Sequence, residues 1–98
     1  MAQGAKPYYV AETQTLRRVA RNPNCSWRFT KHALEEMADD EWTANDVIHA
    51  VTNGEVVLEE QKRDRLWRVE GKDVDGNRIQ VVVAVYEAII QVKVITTF

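Results

Sequence analysis

From Arg78 to Phe98 the chain alternates apolar and polar positions by twos. Ile79, Val81, Val83 and Val85 fall on one side, with Arg78, Gln80, Val82, Ala84 and Tyr86 on the other. After a short Tyr86-Glu87-Ala88 turn, Ile90, Val92, Val94, Thr96 and Phe98 alternate with Gln91, Lys93, Ile95 and Thr97. Residues that are largely β-branched, in period-two alternation, form strands with one buried face. The short connection predicts an antiparallel hairpin. Such a hairpin is unstable alone in water and needs other elements laid across it.

The upstream pattern supplies that cover. Glu12 to Arg21 is expected to be helical, with Leu16, Val19 and Ala20 as its apolar stripe and Arg17, Arg18 and Arg21 in solvent. Asn22-Pro23-Asn24 ends it, because the residue before proline resists the helical conformation. Trp27-Arg28-Phe29 reads as a brief extended approach to a second helix. Thr30 is the expected N-cap, with Lys31 to Asp39 helical and Ala33, Leu34, Met37 and Ala38 turned inward. Asp39-Asp40-Glu41 opposes the helix dipole, so that helix is expected to end early or fray. Thr43-Ala44-Asn45-Asp46 has capping-box spacing for a third helix. Ala44, Val47, Ile48 and Val51 form its buried face, and Asn53-Gly54 is expected to close it as a left-handed stop.

Two further strands follow. Glu55 to Gln61 is expected to turn Val56 and Leu58 inward, Lys62-Arg63-Asp64 reverses the chain, and Arg65 to Gly71 places Trp67 and Val69 on one face. Asp75-Gly76 is a hairpin turn signal. The expected fold is therefore α+β: two or three N-terminal helices packed on one face of a four-stranded antiparallel meander. Residues 1–11 are expected to be a flexible tail, and 12–98 a single domain.

Composition narrows the class. At 98 residues, 45% hydrophobic and 29% charged, the chain is globular and holds one modest core. No apolar run approaches the roughly 20 residues needed to cross a bilayer. No secretory signal pattern opens the chain, and the lone Cys25 has no internal disulfide partner, so a cytoplasmic location is expected. Net charge is −2 but unevenly spread. Met1 to Leu34 carries six basic residues and one acidic, Glu35 to Glu60 nine acidic and no Lys or Arg, and Gln61 to Phe98 seven basic and five acidic. A polyanion is attracted to the outer segments and repelled by the middle one.

Candidate chemistry is sparse. There is no phosphate-cradling glycine loop, paired-cysteine metal site or serine-hydrolase elbow. Cys25 reads as an incidental thiol, and His49, opposite its helix's apolar stripe, as a surface residue. His32, Glu35 and Glu36 offer a weak metal-binding pattern without a second histidine, and no cofactor is expected. His32 falls in a first helical turn, where the dipole disfavours imidazolium and suits a general acid or base. Arg65 and Arg68 interrupt an apolar strand. Each can hold phosphate in a fork geometry, or pair with Glu59 or Glu60 across the hairpin. Thr96 is expected on the apolar face.

Phe29-Thr30-Lys31-His32-Ala33-Leu34-Glu35-Glu36-Met37, followed by Asp46-Val47, Asn53-Gly54-Glu55-Val56-Val57 and the closing Val94-Ile95-Thr96-Thr97-Phe98, resembles the bacterial family called domain of unknown function 4258. The resemblance covers about Trp27 to Phe98. It implies a small metal-independent ribonuclease fold of the barnase and RelE-like type, as found in toxin–antitoxin systems. On that resemblance His32 is the acid/base residue, Arg68 a phosphate or transition-state contact and Thr96 a polar contributor at the last strand; Lys31 and Arg65, as nearby cations, are expected to bind substrate. Expected partners are RNA and an antitoxin or other protein, and the exposed sheet edges are compatible with a monomer or a homodimer. Glu36 departs from the pattern, standing where the family usually has arginine. A carboxylate there repels RNA, which keeps a second expectation open: an inactive member serving as a protein-interaction module.

Overall fold

The computed structural model describes residues 9–98. Its elements run α1 (Val10–Ala20), β1 (Ser26–Phe29), α2 (Lys31–Asp39), α3 (Ala44–Asn53), β2 (Glu55–Gln61), β3 (Arg65–Lys72), β4 (Arg78–Tyr86) and β5 (Gln91–Thr97). The class is α+β, but the sheet has five strands in the order β1-β5-β4-β3-β2. The expected meander β2-β3-β4-β5 is present. The addition is β1, the Trp27 stretch, which pairs parallel with β5. Four residues whose partner lies at the far end of the chain carry no local pairing signal, so the mixed sheet replaces the expected four-stranded antiparallel one. The expected tail lies largely outside the described residues, and α1 already includes Val10 and Ala11.

The helices cover one face of this sheet. Leu16, Val19 and Ala20 of α1, Ala33 and Met37 of α2 and Val47, Ala50 and Val51 of α3 join Val56, Trp67, Val69, Ile79, Val81, Val83, Val92 and Val94 in one core. Burying side chains of this size contributes roughly 1.5–3 kcal/mol each relative to leaving them exposed. Leu34, expected inward, is 52% exposed. The nine-residue α2 presents only Ala33 and Met37 as fully buried contacts.

Caps set the helix positions. The Thr30 hydroxyl accepts from the Ala33 amide at 3.0 Å to start α2. At α3, Thr43 and Asp46 complete the expected capping box. The second Asp46 oxygen accepts the Val74 amide at 3.2 Å, tying the helix start to the β3–β4 connection. That connection turns at Gly76, whose φ is 89°, around buried Asp73, which accepts from the Asp75 and Asn77 amides. Gly54 is not the expected left-handed stop: it is extended, with φ −85° and ψ −172°. Its role is clearance. A Cβ on Gly54 would meet the Ala50 carbonyl oxygen at 2.5 Å, and one on Gly71 would meet the same oxygen at 2.2 Å. The two glycines let α3 lie directly on β3. Arg17, expected in solvent, instead donates to the Asn53 and Gly54 carbonyls at 2.9–3.2 Å. A guanidinium at a helix C-terminus satisfies orphan carbonyls and complements the dipole.

Two bulges decide which side chains face outward. In β2 the register with β3 shifts between Val56 and Leu58, so Val56 stays in the core while Leu58 pairs with Arg68 and turns out. In the β4–β5 pair, Val83 opposes Val94 but Val82 opposes Thr96, leaving Ile95 as the extra residue. An inserted residue reverses side-chain parity beyond it. Thr97 therefore enters the core, 1% exposed, and Thr96, expected there, lies on the other face.

Candidate nucleic-acid interface

Cross-strand partners share a face, so the registers define the side of the sheet that the helices leave uncovered. One row across it is Leu58, Arg68, Val82 and Thr96. A second is Arg28, Lys93 and Ala84. A third is Glu55, Glu70 and Gln80, with Phe98 bound to Gln80 through the backbone. The last is Lys72 with Arg78. From Ala84 to Arg78 along β4 these rows span about 20 Å at the usual strand rise. Five cations, Arg28, Arg68, Lys72, Arg78 and Lys93, line the track. The acidic residues Glu35, Glu36 and Asp39 sit on α2, whose Ala33 and Met37 pack on the helix-covered side of the sheet, and Glu36 contacts His32.

Arg68 and Thr96 are thus on the same face, separated by one strand and roughly 10 Å between backbones. The Arg68 guanidinium carbon lies 4.9 Å from the Phe98 ring centroid. Phe98 is itself 54% exposed. Among the described residues Arg68 forms no ion pair with a carboxylate, and its enclosed Nε has no hydrogen-bond partner. Arg68 is held by an aromatic face and keeps its charge unneutralised.

Arg65 differs. It lies on the helix side of the sheet edge, its Nε 3.4 Å from Glu59 and its guanidinium carbon 5.1 Å from the Trp67 centroid. Glu59 also accepts from the Trp67 indole at 2.6 Å. Alternation along β3 puts Arg65 on the side of Trp67 and Arg68 on the other, and the β2 bulge turns Glu59 to the helix side, where Arg65 and Trp67 use it, and Leu58 to the side of Arg68.

His32 and Lys31 open α2 at the end of β1. The Thr30 amide continues the β1–β5 ladder by donating to Val94 at 3.0 Å. The Thr30 hydroxyl donates to the Ile95 carbonyl at 2.7 Å. These bonds seat the helix start beside the bulge that precedes Thr96. His32 is largely exposed, with Nε2 3.8 Å from Glu36 Oε2 and no third metal-type ligand grouped with them among the described residues. The pair is an ordinary helical i, i+4 contact.

The Cys25 thiol is pushed above its usual value by burial, which outweighs the lowering from its hydrogen bond to the Val92 backbone. A thiol raised in this way is a poor nucleophile. No helix among the described residues is long and apolar enough to cross a membrane.

One feature of the site was missed by pattern reading. A pocket of about 340 Å³ opens between the end of α3 and the end of β3, lined by His49, Asn53, Glu55, Glu70, Lys72 and Arg78 together with Gly54 and Gly71. His49 Nδ1 lies 2.9 Å from the Lys72 carbonyl oxygen. The signal available in sequence was the pair of glycines, which mark a close approach of α3 to β3.

No curated protein and no solved structure matches the chain. Helix α1 lies before residues 29–98, although its Leu16 is fully buried in the shared core. From the last residue of β1 to Phe98, residues 29–98 match the model of the family described as domain of unknown function (DUF4258), and the chain belongs to that family.

Proposed function

We propose that this domain binds single-stranded RNA across its helix-free sheet face and cleaves it as a small ribonuclease without a metal. The observation that carries the reading is Arg68: an unneutralised guanidinium, stacked on Phe98, in one row with Thr96. Arginine in this setting recognises phosphate and stabilises charge developing on a phosphoryl transition state. The exposed Phe98 ring offers a base a stacking surface, which every base can use. The cleavage uses the RNA's own 2′-hydroxyl as nucleophile, expelling the 5′-oxygen of the next nucleotide and leaving a cyclic phosphate. The proton removed from the 2′-hydroxyl is then delivered to the leaving oxygen. His32, at the helix start beside the Thr96 end of the row, is assigned this acid/base work, and Lys31 a phosphate contact. Arg65 is left out, because Glu59 already holds it. In a toxin–antitoxin setting, a protein partner would cover this same face.

The test is cleavage of a labelled single-stranded RNA in EDTA by the unaltered protein, Arg68→Ala and His32→Ala. Losing Arg68 should slow cleavage about 10²–10³-fold, and losing His32 about 10²–10⁴-fold. A folded protein that cuts none of several RNAs, or cuts as well without Arg68, rejects the assignment.

A second reading, a protein-interaction module, is favoured by Leu34. It is exposed on α2 with Ala38, also exposed, one turn on along the same face, an apolar strip that suits a partner's helical segment. Leu34→Ala would then abolish partner capture while leaving RNA cleavage unchanged.

A further inference from the structure

Strand β3 outruns its neighbour. Its pairing with β2 stops at Glu55 opposite Glu70, so Gly71 and Lys72 extend past the start of the edge strand. The end of α3 fills part of the space, since Gly71 admits the Ala50 carbonyl where any side chain would collide. The notch of about 340 Å³ lies beside this overhang. His49 closes one wall. A carbonyl oxygen only accepts, so the ring nitrogen 2.9 Å from Lys72 O carries the proton. The neutral ring then keeps its lone pair on Nε2, and the protonated ring offers a second donor there.

The charges around the notch are arranged in an uncommon way. Lys72 directly opposes Arg78, and Glu55 directly opposes Glu70. Like charges facing each other across a ladder destabilise a sheet. Elsewhere this protein pairs such groups: Arg65 with Glu59, and Arg18 with Glu87 at 2.8 Å. Here none of the four has an ion-pair partner among the described residues, and only Glu70 is engaged, accepting from the Gln80 amide at 3.1 Å. A two-cation row and a two-carboxylate row lie two residues apart along β3, about 7 Å. A ligand with an anion at one end and a hydrogen-bond donor at the other relieves both repulsions. The volume is at the lower end of the range that holds small molecules.

We propose that this notch binds a nucleoside monophosphate whose base carries an exocyclic amino group, with phosphate at Lys72, Arg78 and His49 and the amino group at Glu55 and Glu70. Carboxylates accept from an amino group such as the cytosine N4 and repel a carbonyl in its place. The site shares Lys72 and Arg78 with the cationic track but does not depend on RNA cleavage at Arg68.

The experiment is an amide-resolved NMR titration of the full chain with cytidine monophosphate and, in parallel, uridine monophosphate, which has a carbonyl where cytidine has the amino group. Saturable shifts at Gly54, Gly71 and Lys72 with the cytidine nucleotide are expected. Lys72→Gln and Arg78→Gln should each weaken binding about tenfold, the effect of losing a charged hydrogen bond. Uridine monophosphate should bind less tightly by a similar factor. Arg68→Ala should change nothing, which separates this site from the sheet-face reading. Absence of saturable shifts, equal binding of the two nucleotides, or undiminished binding by well-dispersed Lys72→Gln and Arg78→Gln proteins overturns the proposal.

Discussion

The hydroxyl of Thr30 donates to the carbonyl of Ile95 at 2.7 Å while accepting the Ala33 amide at 3.0 Å. One side chain thus caps α2 and holds the carbonyl of the residue bulged out of β5. The bulge is what sends Thr96 to the open face and Thr97 to the core, so the cap and the composition of the candidate site are mechanically joined.

Removing that hydroxyl should be costly. Thr30→Val is expected to lose about 1–3 kcal/mol, combining a lost N-cap with a carbonyl left unpaired. Thr30→Ser, which keeps the hydroxyl, should retain most of it. Urea unfolding of the two variants measures the difference. Val as stable as Ser would show that the bulge holds without the cap.

How far the sequence could be read depended on whether a signal was local. The α3 capping box, the Asp75-Gly76 turn and the alternation of Ile79, Val81 and Val83 are all properties of a few adjacent residues, and they form as their chemistry dictates. Strand β1 was legible only as an extended approach, because its membership of the sheet exists only beside β5. The two bulges were invisible for a related reason: an extra residue leaves composition unchanged and shows only in cross-strand pairing. That is why Thr96 and Leu58 were assigned to the wrong face, and why either arginine could be paired with Glu59 or Glu60. The charged notch at His49 required the overhang of β3 past β2, a relation between strand ends whose one local trace is the pair Gly54 and Gly71.

Gly71 tests the closest approach in the fold. Gly71→Ala would place a Cβ 2.2 Å from the Ala50 oxygen, and backbone on both sides leaves nothing to yield. Overpacking of this kind is expected to cost about 1–3 kcal/mol. Thermal unfolding measures the loss, and a change within error would mean that α3 can lift from β3 freely.

Acid should unfold the protein in part through Asp46. Hydrogen bonds from the Thr43 amide first and the Val74 amide second, aided by the Thr43 hydroxyl and the nearby His49, hold its carboxyl below the ordinary value of 3.8 despite burial. A carboxylate whose folded value is depressed binds protons more readily when unfolded. Its contribution is fully present above the ordinary value and disappears as pH falls through the lower folded value. Asp46→Asn should therefore be less stable than the unaltered protein near neutrality, with the gap narrowing as pH falls below 3.8. Parallel urea titrations across that range would show it. A constant gap would mean that Asp46 contributes through shape alone.

The C-terminus of α2 ends against two physical preferences at once. The Trp42 amide donates to the Met37 carbonyl at 2.8 Å and the Glu41 amide to Ala38 at 3.3 Å, which is the Schellman pattern. Its left-handed position, normally glycine, is Glu41 at φ 60°. The helix therefore runs its full length to Asp39 instead of fraying, held by Trp42 packing on the core. Glu41 suffers a strained backbone, and its carboxylate faces the negative end of the dipole. Glu41→Gly relieves both and should raise stability by about 1 kcal/mol, less what the freer glycine gains when unfolded. Glu41→Gln removes only the charge and should recover about 0.3–1 kcal/mol at low salt, falling as salt is added. If Gly and Gln stabilise equally, the backbone strain at Glu41 is negligible and electrostatics alone sets the end of this helix.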